Sequence, residues 1–241
     1  MSIERLFDIS PQISDPQDLY DSITWPQPPA NRPYVYINMA STADGKVVVG
    51  EPGGTAKGVG GPTDQFLFRR LQRQCDAALL GSSTLRAGQV LYPAQLRRFT
   101  VTGSGELPLT NRFFTDAPDR AYVFAPRSIS LAAAARISAA AKLIQLDGDR
   151  VDLAEALQWM RTEQGISTLL CEGGPSVNDQ LIRAGLADEL FLTLAPKLKG
   201  GRDIPTILSG EGFPPGISQP IKLMSVYRDN DELYLRYRVE G

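Results

Sequence analysis

Short apolar runs alternate with segments of helical periodicity along most of the chain. Runs with the length and apolar character of strands lie at 34–39, 77–80, 99–102, 121–124, 142–146, 167–171 and 189–194. Segments that repeat apolar residues at helical spacing lie between them, at 63–74, 130–141, 153–163 and 175–184. Two last runs, 221–228 and 232–239, flank the turn sequence Asp-Asn-Asp. This order predicts a three-layer α/β/α fold, with a mostly parallel mixed sheet and a C-terminal antiparallel hairpin.

The N-terminal segment differs because prolines recur in it. They stand at positions 11, 16, 26, 28, 29 and 33, and such density opposes both helix and strand. We therefore predict that residues 1–33 form a proline-rich arm that lies over the body or over a partner chain. Residues 34–241 are predicted to form a single domain.

The stretch LLCEGGPSVNDQL, residues 169–181, places a glycine-rich turn between a buried strand and a helix. Pro175 suits the first helical position, because its ring presets φ and its missing N–H would have no partner there. The N–H groups that open a helix carry partial positive charge, and Gly173 and Gly174 let a ligand approach the backbone. The pattern indicates a site for a phosphate or other anion. The alternative is an ordinary strand-to-helix turn.

The composition excludes several kinds of chemistry. The 241 residues include no histidine and only two cysteines, Cys75 and Cys171. Histidine-based triads, histidine-ligated metals and a thiolate zinc site are thereby excluded, and we expect no metal. Any proton transfer must use Asp, Glu, Lys, Tyr or water.

The charge pattern narrows the possible partners. With 25 basic and 27 acidic side chains, the sequence has no basic block that would favour nucleic acid or a membrane surface. No apolar run reaches the ~18 residues of a membrane span, and the first residues lack the pattern of a signal peptide. We expect a cytoplasmic protein with a small-molecule ligand.

Three segments together resemble a known family. YINMASTADGK (36–46), CDAALLGSSTLRA (75–87) and LLCEGGPSVNDQLIRAGLADELFLTLAPKLKGG (169–201) are similar to the pyrimidine reductase of riboflavin biosynthesis. That reductase is the C-terminal domain of a bifunctional deaminase-reductase and has a dihydrofolate reductase-like fold. The resemblance covers residues 32–239 and implies an NADPH-dependent enzyme that reduces the ribose of a phosphoribosylaminopyrimidine to ribityl. It also implies a homodimer.

The resemblance implies roles for individual residues. Asp44, Lys46 and Glu172 are the candidate catalytic residues, and Glu172, Gln65 and Arg86 are the candidate substrate-binding residues. The implied NADPH-binding residues are Ala40, Thr84, Ser104, Gly173, Gly174, Pro175, Ser176, Val177 and Asn178. For three residues a structural alternative stays open: Asp44 as part of a turn, Thr84 as a helix cap and Glu172 as a solvated loop acid.

The substrate side departs from the family pattern. The family has an Arg where Gln65 stands, and an Asp-x-Pro-x-Leu-x-x-Arg run where this chain has GQVLYPAQLRR, residues 88–98. Arg86, Arg97 and Arg98 are alternative phosphate partners, unless they are surface arginines. The departures leave open a reductase of dihydrofolate or another heterocycle, with a pterin-like substrate, and a nucleotide-binding protein without turnover.

Overall fold

The computed structural model describes residues 2–9 and 11–240. Met1 and Ser10 of the predicted arm, and Gly241 of the predicted domain, lie outside the described residues. The strands are β1 (Glu4–Asp8), β2 (Tyr34–Thr42), β3 (Ala77–Gly81), β4 (Arg97–Val101), β5 (Ala121–Pro126), β6 (Lys142–Leu146), β7 (Thr168–Cys171), β8 (Glu189–Ala195), β9 (Ile221–Asp229) and β10 (Glu232–Val239). The helices are α1 (Pro62–Arg73), α2 (Ser82–Ala87), α3 (Arg112–Thr115), α4 (Leu131–Ser138), α5 (Leu153–Gln164) and α6 (Pro175–Arg183).

The strands form one ten-stranded sheet within the described residues, in the order β1-β9-β10-β8-β2-β7-β3-β4-β5-β6. From β8 to β6 all neighbours are parallel. The hairpin of β9 and β10 adds antiparallel pairs at one side. The predicted fold class is therefore confirmed. No helix in the described part of the chain is long and apolar enough to cross a membrane.

Helices pack on both faces of the sheet and bury it. On one face, α5 and α6 contribute Leu157, Met160 and Leu181 to an apolar cluster with β2, β3 and β7. On the other face, α4 packs over β5 through Ile137, and α1 packs over the middle strands through Leu71. The middle strands are buried on both sides, which explains why they read as continuous apolar runs.

Local signals set the helix ends. Pro62 and Pro175 open α1 and α6 at the first helical positions. The Asp152 side chain caps α5 by accepting hydrogen bonds from the N–H groups of Ala154 and Glu155. Gly165 ends α5 at φ +63, a conformation that glycine adopts without strain.

The N-terminal arm packs on its own chain. Trp25 stacks on Tyr36 with ring centres 4.3 Å apart, and the Arg70 guanidinium donates to the carbonyl oxygens of Gln17 and Leu19. These contacts hold this part of the arm on the body of its own chain. Within the predicted arm, residues Glu4–Asp8 form β1, which pairs with β9. The sequence did not predict this strand, which lies before the prolines.

Candidate functional site

Four parallel strands end at the same edge of the sheet, and candidate residues follow each of them. Asp44 follows β2, Thr84 follows β3, Ser104 follows β4 and Glu172 follows β7. In open α/β sheets, ligands bind at the carboxyl ends of the strands. The structure therefore places the predicted residues where a ligand site is expected.

Two glycine-containing loops meet at this edge. The N–H of Gly81, at the end of β3, donates to the carbonyl of Gly173 at 2.8 Å. A Cβ added to Gly174 would lie 3.2 Å from Thr84 Oγ1 and 3.3 Å from Ser83 Oγ. The Gly173–Gly174 peptide bond is cis, and Gly173 has φ +79. The starts of α2 and α6 thus lie against each other, and a side chain at Gly174 would fit only if Ser83 and Thr84 moved.

The first turn of α6 offers backbone donors rather than side chains. No side chain caps Gly174, and Ser176 is exposed. The N–H of Val177 donates to the Gly174 carbonyl at 2.9 Å, so it already has a partner. The Asn178 side chain is buried and donates to the Ile207 carbonyl, so its amide holds a neighbouring loop. An unfilled backbone turn of this kind suits a phosphate.

The end of β2 lies beside this turn. A Cβ on Gly173 would lie 3.2 Å from the sulfur of Met39, and Ala40 is paired with Thr193 of β8. The structure thus brings Ala40, Thr84 and the glycines of the α6 turn to one place.

Glu172 lies on the opposite side of its strand from the cluster that contains Cys171. Its carboxylate accepts a hydrogen bond from Gln72 Nε2 at 3.1 Å. Burial raises the pKa of Glu172 to about 7, although Gln72 and Tyr92 oppose that rise. Glu172 is partly buried and hydrogen-bonded, which differs from a fully solvated loop acid. A carboxyl that titrates near neutral pH beside a glycine turn is typical of a functional site.

Asp44 and Lys46 both hold the segment 197–204. Asp44 accepts hydrogen bonds from the Thr42 hydroxyl and from the N–H groups of Lys199 and Gly200. The Thr42 bond and then the two backbone bonds lower the pKa of Asp44 to about 2. Lys46 Nζ donates to the Ile204 carbonyl at 2.9 Å. Both residues therefore shape the rim of the edge, and neither shares a described hydrogen-bond partner with Glu172.

The remaining candidates lie apart from Glu172. Arg86 donates to the carbonyl of Glu106, and the N–H of Glu106 donates to the Ser104 hydroxyl, so Arg86 lies with Ser104. Gln65 is exposed and donates to Asp64.

Of the three alternative phosphate partners, Arg97 and Arg98 do not face the edge. Arg97 donates to the Gln164 carbonyl. Arg98 is fully buried and donates to the carbonyls of Pro93 and Leu96. The guanidinium of Arg98 is thus part of the interior, and it is not a surface arginine.

Sequence reasoning missed two residues next to Glu172. Gln72 lies in the last turn of α1, and Tyr92 lies between α2 and β4. Only the tertiary fold brings them to a carboxylate that lies 100 residues from Gln72. The one signal in the sequence for Tyr92 is the segment GQVLYPAQLRR, which contains this residue and differs from the family pattern.

Comparisons with known proteins identify a family and relatives of this chain. A model of the RibD C-terminal domain matches residues 33–235. The 2,5-diamino-6-ribosylamino-4(3H)-pyrimidinone 5′-phosphate reductase of Methanothermobacter thermautotrophicus is 29% identical over 223 residues, which are 87% of this chain and 100% of that protein.

Solved structures show the same fold. Acinetobacter baumannii RibD superposes with a TM-score of 0.72 at 20% identity, over 88% of this chain and 59% of that one. A pyrimidine reductase-like protein of Corynebacterium diphtheriae superposes with a TM-score of 0.72 at 21% identity, over 88% of this chain and 93% of that one. The chain thus spans only part of the Acinetobacter protein.

Proposed function

Because the chain belongs to the RibD C-terminal domain family, we propose that it is an NADPH-dependent reductase of riboflavin biosynthesis. Its proposed substrate is a phosphoribosylaminopyrimidine, whose ribose it reduces to a ribityl chain. The observation that carries the proposal is the meeting of the two glycine loops beside Glu172. Residues 34–241 form the proposed reductase domain, and the proposed location is the cytoplasm.

The residues at the edge fit the cofactor. The uncapped start of α6 would hold the pyrophosphate, since Gly174 has no Cβ to keep it away. Ser104 would lie near the adenosine end, and the guanidinium of Arg86 in the same place suits the additional phosphate of NADPH. Ala40 and Thr84 flank the path between the two ends.

The chemistry needs one hydride and one proton. When bound, the reduced nicotinamide supplies a hydride. In the proposed reaction the ribose ring opens: the C1′–O bond breaks, the proton of the exocyclic N–H passes to the ring oxygen, which becomes a hydroxyl group, and a CH=N imine forms at C1′. C1′ would then accept the hydride and the imine nitrogen would take one proton from solvent, so that CH=N becomes CH2–NH.

Glu172 is the proposed substrate contact. In its ionised form the carboxylate only accepts hydrogen bonds, which suits a hydroxyl or amine of the substrate. Asp44 and Lys46 would act by holding the segment 197–204 at the rim of the site. The proposed reaction forms no covalent bond between the substrate and a residue of this chain.

Steady oxidation of NADPH with candidate pyrimidines tests this function. We expect turnover with a ribosylaminopyrimidine 5′-phosphate, assayed both in its diamino form and in its deaminated form, and none with dihydrofolate. Glu172→Gln is the control for background oxidation. Absence of turnover with both pyrimidines, in a protein that binds NADPH, would instead support a nucleotide-binding protein.

We also propose that the protein is a homodimer. The outward side chains of β8, β10 and β9 form an apolar face that is only half-buried: Leu192, Leu194, Val226, Leu233, Leu235 and Tyr237. The opposite face of the same strands is covered by the arm, through Tyr20 and Trp25. Most soluble homo-oligomers are two-fold dimers with self-complementary patches, and this half-buried apolar face is the proposed patch.

Light scattering at micromolar concentration tests the dimer. We expect a mass near twice the 26.3 kDa of one chain, and a shift towards one chain in Tyr237→Asp. Arg238→Glu, on the opposite face of β10, is the matched control and should keep the larger mass. A wild-type mass of one chain would contradict the proposal.

A further inference from the structure

A buried polar group next to Glu172 lacks a partner. The Tyr92 hydroxyl is shielded from solvent and makes no hydrogen bond with any described residue. Leaving a buried hydroxyl unpaired costs roughly 1–3 kcal/mol. Such a group calls for an explanation in terms of strain, an unseen ligand or a function.

The ring of Tyr92 lies beside Glu172, since each group shifts the pKa of the other. It packs edge-on against Phe113 with ring centres 6.1 Å apart, and the guanidinium carbon of Arg98 lies 5.6 Å from the ring centre. The hydroxyl is near enough to lower the pKa of Glu172, although the geometry falls short of a hydrogen bond.

Arg98 lies beside the Tyr92 ring and has no carboxylate partner. Its guanidinium donates only to main-chain carbonyls, and no carboxylate in residues 2–9 and 11–240 forms an ion pair with it. Burial and then Glu172 raise the pKa of Tyr92 by more than the charge of Arg98 lowers it, so the phenol keeps its proton and stays a hydrogen-bond donor.

The Glu172 carboxylate in turn receives fewer hydrogen bonds than it can accept. Only Gln72 donates to it among the described residues, whereas a carboxylate can accept about four hydrogen bonds. The other groups around it are engaged elsewhere: Tyr36 donates to the Leu71 carbonyl and Cys75 to the Gln72 carbonyl. Tyr92 is therefore the remaining donor for an ionised Glu172.

We propose that Tyr92 is a positioning residue of the reductase site, whose hydroxyl donates to the ionised Glu172 carboxylate and fixes it for the substrate. This inference rests on the proposed function. Tyr92 does not touch the substrate, and it acts through Glu172.

The titration of Glu172 gives the expected direction. A donor to the carboxylate favours its ionised form, so removal of the Tyr92 hydroxyl should raise the pKa of Glu172 above its value of about 7. No other group that faces Glu172 titrates near there: burial raises the pKa of Cys75 and of Cys171 to about 12 each, and those of Tyr36 and Tyr92 are raised well above the usual value.

The test is Tyr92→Phe, which keeps the ring and removes the oxygen. Carbon NMR of labelled carboxyl groups follows the titration of Glu172, with its signal assigned by loss in Glu172→Gln. We expect the midpoint to rise by about one pH unit, a tenfold change in the proton equilibrium. Tyr122→Phe, which removes a hydroxyl bonded to Gln164, is the matched control and should leave the midpoint unchanged.

Kinetics give a second readout. If ionised Glu172 binds substrate, kcat/KM rises with pH through the pKa of Glu172, and in Tyr92→Phe that rise should move to higher pH. The variant should then lose up to about tenfold in kcat/KM below the midpoint and little above it. An unmoved NMR midpoint, or an equal loss at every pH, would overturn the inference. The NMR result stands even if no tested pyrimidine is a substrate, so the two proposals fail separately.

Discussion

Glu172→Gln should lower kcat/KM with the pyrimidine substrate by about 100-fold and leave the affinity for NADPH within about twofold of wild type. The amide keeps the shape of the side chain, but it replaces an acceptor-only group by one that also donates. Its hydrogen bond to a substrate hydroxyl or amine is thereby weakened. Steady-state kinetics and fluorescence titration of NADPH measure the two effects separately.

Stability provides the control for this variant. The folded-state pKa of Glu172 is raised to about 7, so its contribution to stability is complete below the unfolded pKa and is lost as pH rises through 7. Gln cannot ionise. The variant should therefore be more stable than wild type at pH 8, by up to about 3 kcal/mol, with the difference smallest below pH 4.5.

The kinetic prediction for Glu172→Gln has its own contradicting outcome. Equal loss of NADPH affinity and of turnover would place Glu172 in the cofactor site instead.

Gly174→Val should weaken NADPH binding by about 100-fold, because the added side chain collides with α2 and blocks the pyrophosphate. Even a bare Cβ would lie 3.2 Å from Thr84 Oγ1, and the loss of several charge-assisted hydrogen bonds from the backbone accounts for about 3 kcal/mol. The measurement is fluorescence titration of NADPH with the folded variant.

The matched control adds the same branched side chain where nothing is expected to bind. Ala154 is exposed in the first turn of α5, and Ala154→Val should bind NADPH like wild type. Circular dichroism should show that both variants are folded. Unchanged NADPH affinity in Gly174→Val would remove the α6 turn from the proposed cofactor site.

The parts of the fold with local signals could be predicted from the sequence. The strands at 142–146 and 232–239 have the predicted bounds, and α6 begins at the predicted Pro175. By contrast, β1 is short and charged and exists through its pairing with β9. With six residues, α2 is too short to show a helical period.

The candidate site likewise contains residues that have a local signal in the sequence and residues that have none. A ligand that approaches the backbone closely favours glycines, and a helix start favours proline. These residues identify the α6 turn as a candidate ligand site from the sequence. Gln72 and Tyr92 could not be identified in this way, because an ordinary helix residue and an ordinary aromatic become neighbours of Glu172 only through the packing of α1 and the 88–98 segment. The family resemblance implies that Asn178 binds the cofactor, and in the fold its side-chain amide donates to the Ile207 carbonyl.

The most direct test of the central claim is the fate of the transferred hydride. NADPH that carries deuterium at the transferable position of the nicotinamide ring is incubated with the protein and the ribosylaminopyrimidine phosphate, and the product is analysed by mass spectrometry and NMR. The account predicts a ribityl product with one deuterium on C1′, formed in step with oxidation of the cofactor. A product without deuterium at C1′, or oxidation of NADPH without a ribityl product, would contradict it.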